Sequence, residues 1–144
     1  SLAPGGAWVA VTGGLDGWPI PTLLMAAVAT WVAGFDVLYS LQDRDFDEAE
    51  GLHSIPVKFG VVGSLVISGV LHLGTVGLLV AVHLVADLSW FHAAGVGLIA
   101  VILAYEHWIV RPKDLSRIDK AFFDLNGYVS LAYAAAVVAG FFLG

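Results

Sequence analysis

Four long apolar stretches constrain the fold of this chain more than any other feature of its sequence. Each has roughly 20 residues or more, the length that a helix needs to cross a hydrocarbon layer about 30 Å thick. The composition agrees, since 59% of the 144 residues are hydrophobic and 12% are charged, whereas soluble domains carry about 25% charged residues. The sequence therefore predicts an all-α, multi-pass transmembrane helical bundle with about four full transmembrane helices.

Turn-forming or charged segments bound the predicted helices. We place these helices at about residues 20–41, 59–85, 90–110 and 121–144. Pro19 and Pro21 fall in the first turn of the first helix, where a missing N–H costs little. Residues 2–12 are apolar but too short to span a membrane. Because the chain begins without Met and within an apolar stretch, we expect it to be a piece of a longer protein.

Positive charge sets the expected orientation. The six Lys and Arg residues lie in two segments, with Arg44 and Lys58 in the first and Arg111, Lys113, Arg117 and Lys120 in the second. Two predicted helices separate these segments, so both lie on one side, and short loops rich in cations stay in the cytoplasm. We expect a cell (inner) membrane protein surrounded by lipid, with its acidic segment facing the cytoplasm. The net charge of −6 argues against a nucleic-acid partner.

Asp36, Asp43 and Asp47 have the spacing of one helical stripe. They follow each other at intervals of seven and four residues, which places them on one side of a helix if the first helix continues past Leu41. Tyr39 and Ser40 fall on the same side. Carboxylates at this spacing lie close enough to share a divalent ion, and oxygen ligands of this kind favour Mg²⁺ bound to a diphosphate.

A simpler interpretation of this acidic segment is a solvated loop whose charges keep it out of the membrane. The spacing alone does not exclude it. Three further acidic residues fit this simpler interpretation: Asp45, Glu48 and Glu50. Asp36 carries a separate signal, because an ionisable residue inside a predicted transmembrane helix is expected to face a cavity or a partner.

Other polar residues lie near the cytoplasmic ends of the predicted helices. They are His53, Lys58, Tyr105, Glu106, His107, Asp124 and Asn126. If they converge, they line a pocket in which Lys58 pairs with a diphosphate; alternatively, Lys58 is only a topology anchor. We expect Glu106 to face a cavity. We interpret His72 and His83, within the second helix, as packed or interfacial histidines rather than ligands.

The stretch GFDVLYSLQDRDFD, at residues 34–47, resembles the second aspartate-rich motif of the UbiA family of membrane prenyltransferases, G-(Y/F)-D-x-x-Y-x-x-x-D-x-x-x-D. The following GLHSIPVKFG continues the similarity. Two further stretches, LAPGGAWVAVTGGLD and LAYEHWIVRPKDLSRIDKAFFDLNGYVS, look like the 4-hydroxybenzoate polyprenyltransferase branch, including homologues assigned to menaquinone synthesis. The similarity covers nearly the whole chain.

The resemblance implies an all-helical membrane enzyme whose two acidic motifs face each other across a cavity open to the cytoplasm, with Mg²⁺ as cofactor. By position in the motif, Asp43 and Asp47 correspond to the Mg²⁺ ligands, and Asp36 and Tyr39 to catalytic positions that support them. We expect four further residues to contact substrate: Lys58, His53, Glu106 and Asn126. Two departures stand out, since many members have Lys at the position of His53 and Asn at that of Asp119.

Residues 1–144 contain no match to the first acidic motif of the family, of the N-x-x-x-D-x-x-x-D kind. The resemblance therefore implies that this chain is the C-terminal portion of a UbiA-like integral membrane domain, with its second motif at residues 36–47. The missing N-terminal half is then the partner that completes the site. We expect the isolated chain to be inactive.

The expected function is Mg²⁺-dependent transfer of a polyprenyl group from its diphosphate to an aromatic acceptor such as 4-hydroxybenzoate, in ubiquinone or menaquinone biosynthesis. An alternative is half of a membrane transporter or channel with Asp36 and Glu106 along a cation path. Transporters place such groups near the membrane centre, whereas here they lie at the cytoplasmic helix ends. A membrane anchor for a partner protein is a third interpretation, which leaves the aspartate spacing unexplained.

Overall fold

The structure, a computed structural model, describes residues 2–112, 115 and 117–144, and only the backbone of residues 120–122. The α-helices in these ranges are α1 (Ala3–Thr12), α2 (Pro19–Tyr39), α3 (Arg44–Ala49), α4 (Ile55–Val85), α5 (Trp90–Ile109), α6 (Ile118–Lys120) and α7 (Asn126–Leu143). A 3-10 turn (Ser40–Asp43) joins α2 to α3, and a π-helical turn (Ala121–Leu125) leads into α7. The described residues form no β-strand, so the predicted all-α class is confirmed.

Four helical segments in the described ranges are long and apolar enough to cross a membrane, as the sequence predicts. They are Pro19–Ala49, Ile55–Val85, Trp90–Ile109 and Phe123–Leu143. Pro19 and Pro21 lie in the first turn of α2, as expected, because proline has no N–H to leave unpaired there. α4 begins four residues before the predicted start because Pro56 also suits a first turn, and α7 begins five residues after the predicted start because a π-helical turn precedes it.

The acidic segment is helical and not an irregular loop. After α2 the backbone stays in the right-handed region through the 3-10 turn, with φ −62° and ψ −13° at Ser40, and α3 then continues to Ala49. Asp45 and Asp47 stand in the first turn of α3, where negative charge interacts favourably with the helix dipole. Residues 19–49 therefore form one continuous helical segment, as the stripe interpretation requires.

α4 bends sharply near its start. Gly60 has φ 68° and ψ −179°, a conformation that is open essentially to glycine alone. The Ser64 hydroxyl donates a hydrogen bond to the carbonyl oxygen of Gly60 at 2.9 Å. The first turn of α4, which carries Lys58, is thereby set at an angle to the long apolar part of the helix.

The helices pack around two apolar clusters. The membrane cluster joins α2, α4, α5 and α7 through Ala27, Leu79, Val96, Ile99, Leu103 and Val129. The end cluster joins the ends of α2 and α5 to α6 through Leu38, Leu41, Ile109, Val110, Ile118 and Leu125. The acidic segment and the second cationic loop consequently lie at the same end of the bundle, as predicted from their charge. Lys113, one of the cations used in that prediction, lies outside the described residues.

α1 is too short to span a membrane, as predicted, and packs beside α2. A side chain at Gly5 would meet Met25 of α2. The indole N–H of Trp8 donates a hydrogen bond to the carbonyl of Asp16 at 2.9 Å. This bond fastens α1 to the turn that precedes α2.

α5 and α7 approach closely at Gly95. A Cβ atom placed there would collide with the Cβ of Ala136 and lie 3.7 Å from the carbonyl oxygen of Ala132. At Gly97, two residues away, an added Cβ atom would have no neighbouring atom within 4 Å. Small residues at helix contacts allow the close backbone approach that stabilises helix pairs in lipid.

Gly95→Val should lower the free energy of unfolding of the complete protein by about 1–3 kcal/mol, the usual cost of overpacking. Gly97→Val is the matched control, because both variants place a β-branched residue in α5 but only the first meets α7. Thermal unfolding of the two purified variants in the same detergent measures the difference. Equal unfolding midpoints would contradict the described α5–α7 contact.

Candidate functional site

The motif aspartates lie on the side of the 19–49 segment that turns away from the helix packing. Gly34 and Leu38 are buried against neighbouring helices. Asp36 lies two residues from each of them, about 200° around the helix at 3.6 residues per turn, and its side chain is exposed. Asp43 is also exposed, and Asp47 is half-buried. Asp36 and Asp43 therefore face outward from the described part of the chain, whereas Asp47 is partly covered.

Tyr39 stands beside Asp36 on the same helix surface. It is the last residue of α2, three positions after Asp36, and residues at this spacing are neighbours along a helix. Its ring is partly exposed. The structure thus keeps the predicted pair of Asp36 and Tyr39 together at the end of the transmembrane part of the helix.

The donor chemistry of the stripe fits Mg²⁺, which binds carboxylate oxygens and phosphates. Among the described side chains, no Lys or Arg lies within 4.0 Å of Asp36, Asp43 or Asp47. The three carboxylates do not meet within 4.8 Å of one another, so one ion does not join all three here. The assignment of Mg²⁺ to Asp43 and Asp47 stays a prediction.

His53 and Lys58 share a cleft at the start of α4. The cleft has a volume of about 540 Å³, and its other lining residues are Ser54, Ile55, Val57 and Phe59. The ammonium group of Lys58 lies 5.2 Å from the ring centroid of Phe59, a cation–π distance. The backbone N–H of Leu52 donates a hydrogen bond to the carbonyl of Asp47 at 2.8 Å. This bond holds the segment that leads into the cleft against α3. Two predicted substrate contacts therefore lie next to the acidic segment.

Asp119 contacts the motif directly. Its carboxylate accepts a hydrogen bond from the side-chain amide of Gln42, in the 3-10 turn, at 2.9 Å. An asparagine at this position would accept the same bond through its side-chain oxygen. The departure of this chain from the family pattern at Asp119 is therefore compatible with this contact. Asn126, another predicted substrate contact, is half-buried at the first position of α7.

Glu106 does not join the aspartates. It is 0% exposed in the interior of the bundle, and its Oε1 atom lies 3.9 Å from Nδ1 of His72. The His72 ring packs against Gly34 on the inner face of α2, whereas Asp36 occupies the outer face. The expectation that all the polar residues converge on one surface pocket is therefore wrong for Glu106.

The sequence interpretation named His107 among the polar residues at the helix ends and took His72 to be a packed or interfacial histidine, which its burial supports. It did not predict that the two side chains meet. Nδ1 of His72 and Nε2 of His107 are 3.0 Å apart. A signal for His72 was present, since the polar residues Ser64, Ser68, His72 and Thr75 follow each other at helical spacing, and all four are buried. This polar stripe in an apolar helix marks the inward face of α4.

Gly34, the first residue of the aspartate-rich motif, allows His72 to approach α2. A Cβ atom at Gly34 would collide with the imidazole ring of His72. One helical turn nearer the start of α2, the hydroxyls of Thr30 and Thr75 form a hydrogen bond of 2.9 Å. These two contacts fasten α2 to α4 directly behind Asp36.

Comparison with known proteins gives three concordant matches. Residues 1–128 match the model of the UbiA prenyltransferase family. A "4-hydroxybenzoate octaprenyltransferase" of Xanthomonas oryzae pv. oryzae is 36% identical over 137 residues, which cover 93% of this chain and 44% of that protein. A protein of Idiomarina loihiensis with the same name is 33% identical over 120 residues, covering 83% of this chain and 41% of that protein.

A solved structure agrees with the sequence matches. It is described as the apo structure of a UbiA homolog from Aeropyrum pernix K1, with a TM-score of 0.73 and 34% identity. The similarity covers 83% of this chain and 42% of that one. The chain thus spans less than half the length of the relatives it matches.

Gly34→Ala should destabilise the complete protein by about 1–3 kcal/mol, because the added methyl group overpacks the contact with His72. In a His72→Ala background the same change should cost much less, since the colliding ring is gone. Thermal unfolding of the four proteins of this double-mutant cycle measures the coupling. Gly74→Ala, on an exposed position of α4 with nothing within 4 Å, is the control. A Gly34→Ala cost that is independent of His72 would contradict the contact.

Proposed function

The chain belongs to the UbiA prenyltransferase family, and we propose that the complete protein transfers a polyprenyl group from its diphosphate to an aromatic acceptor. The observation that carries this proposal is the aspartate-rich motif on a continuous helical segment, with Asp36 and Asp43 exposed and Asp47 half-buried. The names of the matched relatives support 4-hydroxybenzoate or a similar aromatic acid as the acceptor. The product then serves ubiquinone or menaquinone biosynthesis.

Asp43 and Asp47 hold Mg²⁺ in this proposal, with Asp36 and Tyr39 as supporting residues. Their oxygen atoms are the donors that Mg²⁺ prefers, and the remaining ligands come from the diphosphate. When bound, Mg²⁺ supplies charge neutralisation to the diphosphate leaving group. Residues 36–47, which resemble the second aspartate-rich motif of the family, supply half of such a site. The outward direction of the stripe suits a facing motif from the rest of the protein.

Lys58 and His53 contact the diphosphate from the other side. Their cleft adjoins α3, the part of the acidic segment that carries Asp47. The bend at Gly60 sets the first turn of α4, which carries Lys58, at an angle to the rest of α4. Lys58 thereby acts as a point charge on the leaving group as its negative charge develops.

The prenyl chain needs an apolar site. The apolar cavity of about 230 Å³ between α2, α4, α5 and α7, with Trp31, Leu79 and Tyr133 among its lining residues, lies on the packed side of α2 and opposite Asp36, so it is not the place for a chain whose diphosphate is held at the acidic motif. Breaking the allylic C–O bond leaves a carbocation that water would trap, so the reaction needs a dry site. The aromatic ring of the acceptor attacks this cation, forming a C–C bond, and the ring carbon then loses a proton.

The transporter alternative receives no support from the geometry. Asp36 lies on the outer face of α2, and Glu106 is buried behind its inner face, beyond His72. The two carboxylates therefore do not border one common path in the described residues. For the enzyme, we propose a multi-pass protein of the cell membrane whose acidic motif faces the cytoplasm, following the distribution of Arg44, Lys58 and Arg111.

Asp43→Asn and Asp47→Asn should each lower the transfer rate by about 100-fold or more, because each removes charge that stabilises the metal–diphosphate complex. Raising the Mg²⁺ concentration should restore part of the loss. Asp45→Asn and Glu50→Gln are the matched controls from the same segment, and they should transfer at the normal rate. Normal turnover in the Asp43→Asn enzyme, with unchanged membrane insertion, would contradict the assignment.

The activity itself is tested with membranes that contain the complete protein. They are incubated with a polyprenyl diphosphate, Mg²⁺ and either 4-hydroxybenzoate or a naphthoate-type acceptor, and the lipid extract is analysed by mass. We expect a product whose mass equals that of the acceptor plus the prenyl group minus one hydrogen. Residues 1–144 expressed alone should form none. The absence of a prenylated product with every aromatic acceptor, in membranes that contain folded protein, would refute the proposal.

A further inference from the structure

The polar cluster of His72, Glu106 and His107 joins α4 to α5 inside the bundle. Each residue offers one ligand atom, and these atoms lie within 4.8 Å of one another. In the described part of the chain, this is the one group of three or more His, Asp or Glu residues with that property. Glu106 is 0% exposed and His72 is 3% exposed, so two of the three side chains are shut off from solvent and lipid.

Hydrogen bonds within the described residues satisfy the cluster only in part. Nδ1 of His72 and Nε2 of His107 share a hydrogen bond of 3.0 Å, whereas both carboxylate oxygens of Glu106 are buried without a partner. The distance of 3.9 Å between Glu106 Oε1 and His72 Nδ1 is too long for a hydrogen bond. Burying such a group without a partner is costly, most of all at membrane depth. A cation at this place would give the carboxylate the partner that it lacks.

The donor set indicates which cation fits. Two imidazole nitrogens and one carboxylate are typical ligands of Zn²⁺ and related transition-metal ions, which leave a further position open for water. Two nitrogens bound tetrahedrally to one Zn²⁺ lie about 3.3 Å apart, given Zn–N bonds of about 2.0–2.1 Å. His72 Nδ1 and His107 Nε2 are hydrogen-bonded to each other at 3.0 Å, so an ion that replaces the shared proton requires only a small separation of the two nitrogens. Mg²⁺, by contrast, prefers oxygen ligands throughout.

The surroundings provide space for a fourth ligand. A cavity of about 140 Å³ between α4 and α5 is lined by both imidazoles, together with Gly69, Leu73, Val76, Ala100, Leu103 and Ala104. This volume exceeds the roughly 30 Å³ that one water molecule occupies in the liquid. Gly34 leaves room for the His72 ring on the opposite side, so the imidazole is held between α2 and the cluster.

We propose that His72, Glu106 and His107 form a binding site for a divalent transition-metal ion of the Zn²⁺ class. The site is separate from the acidic motif, from which it is divided by the body of α2. The ion neutralises the buried carboxylate and links α4 to α5. Because His72 also packs on Gly34, the ion holds α2 in place behind the aspartate stripe, which makes its role structural.

The test uses the complete protein in detergent, stripped of metal with a chelator and titrated with Co²⁺, whose visible absorption reports its ligands. We expect one Co²⁺ per chain, displaced by Zn²⁺ but not by excess Mg²⁺. Glu106→Gln and His107→Gln should each weaken binding by at least about 100-fold, since the loss of groups that only orient a ligand already costs 10–100-fold. His83→Gln, farther along α4, is the matched control and should bind as the wild type does.

A second variant locates the ion. The pair Asp43→Asn and Asp47→Asn in one chain should leave the Co²⁺ spectrum unchanged, and its loss there would place the ion at the acidic motif and overturn the proposal. X-ray absorption of the wild-type protein loaded with Zn²⁺ provides a test that does not require any variant to fold. Imidazole nitrogens around the ion support the proposal. An all-oxygen shell, or no retained Zn²⁺, refutes it and leaves the cluster as a set of packed polar side chains.

Discussion

The close packing of α2 on α4 is the interaction on which the rest of the structure depends. Lipid gives no hydrophobic drive for helices to associate, so small residues and polar pairs must hold them together. Gly34 is the small residue, because it leaves room for the His72 ring. Thr30 and Thr75 are the polar pair, joined by a hydrogen bond of 2.9 Å. Because this face of α2 packs against α4, Asp36 lies on the opposite face of the helix.

Two polar sites of different chemistry therefore stand on the two sides of one helix. The outer side carries carboxylates alone, partly accessible and suited to Mg²⁺ and a diphosphate. The inner side adjoins a buried cluster of two imidazoles and one carboxylate, and the carboxylate oxygens lack hydrogen-bond partners in the described residues. The two sides prefer different metal ions, because carboxylates alone favour Mg²⁺ whereas two imidazoles and one carboxylate favour Zn²⁺.

Much of the fold was predictable from single residues. Pro19 and Pro21 mark the start of α2, and the charged segments separate four apolar stretches, since neither charge nor an unpaired N–H is tolerated in hydrocarbon. The aspartate stripe was predictable as well, because spacing determines direction on a helix. The helical course of residues 44–49 was harder to predict, because an acidic exposed segment is equally compatible with a loop.

The buried position of Glu106 could not be predicted from the sequence. Its position near the end of a predicted helix indicated a cavity, but local sequence does not contain the distance from α5 to α4. The sequence alone established the membrane class and the transmembrane segments, because length and polarity are local properties, whereas the stripe of Asp36, Asp43 and Asp47 stays a prediction. The pairing of His72 with His107 and Glu106 came only from the packed helices, since residues 35 positions apart meet through the contact of two faces.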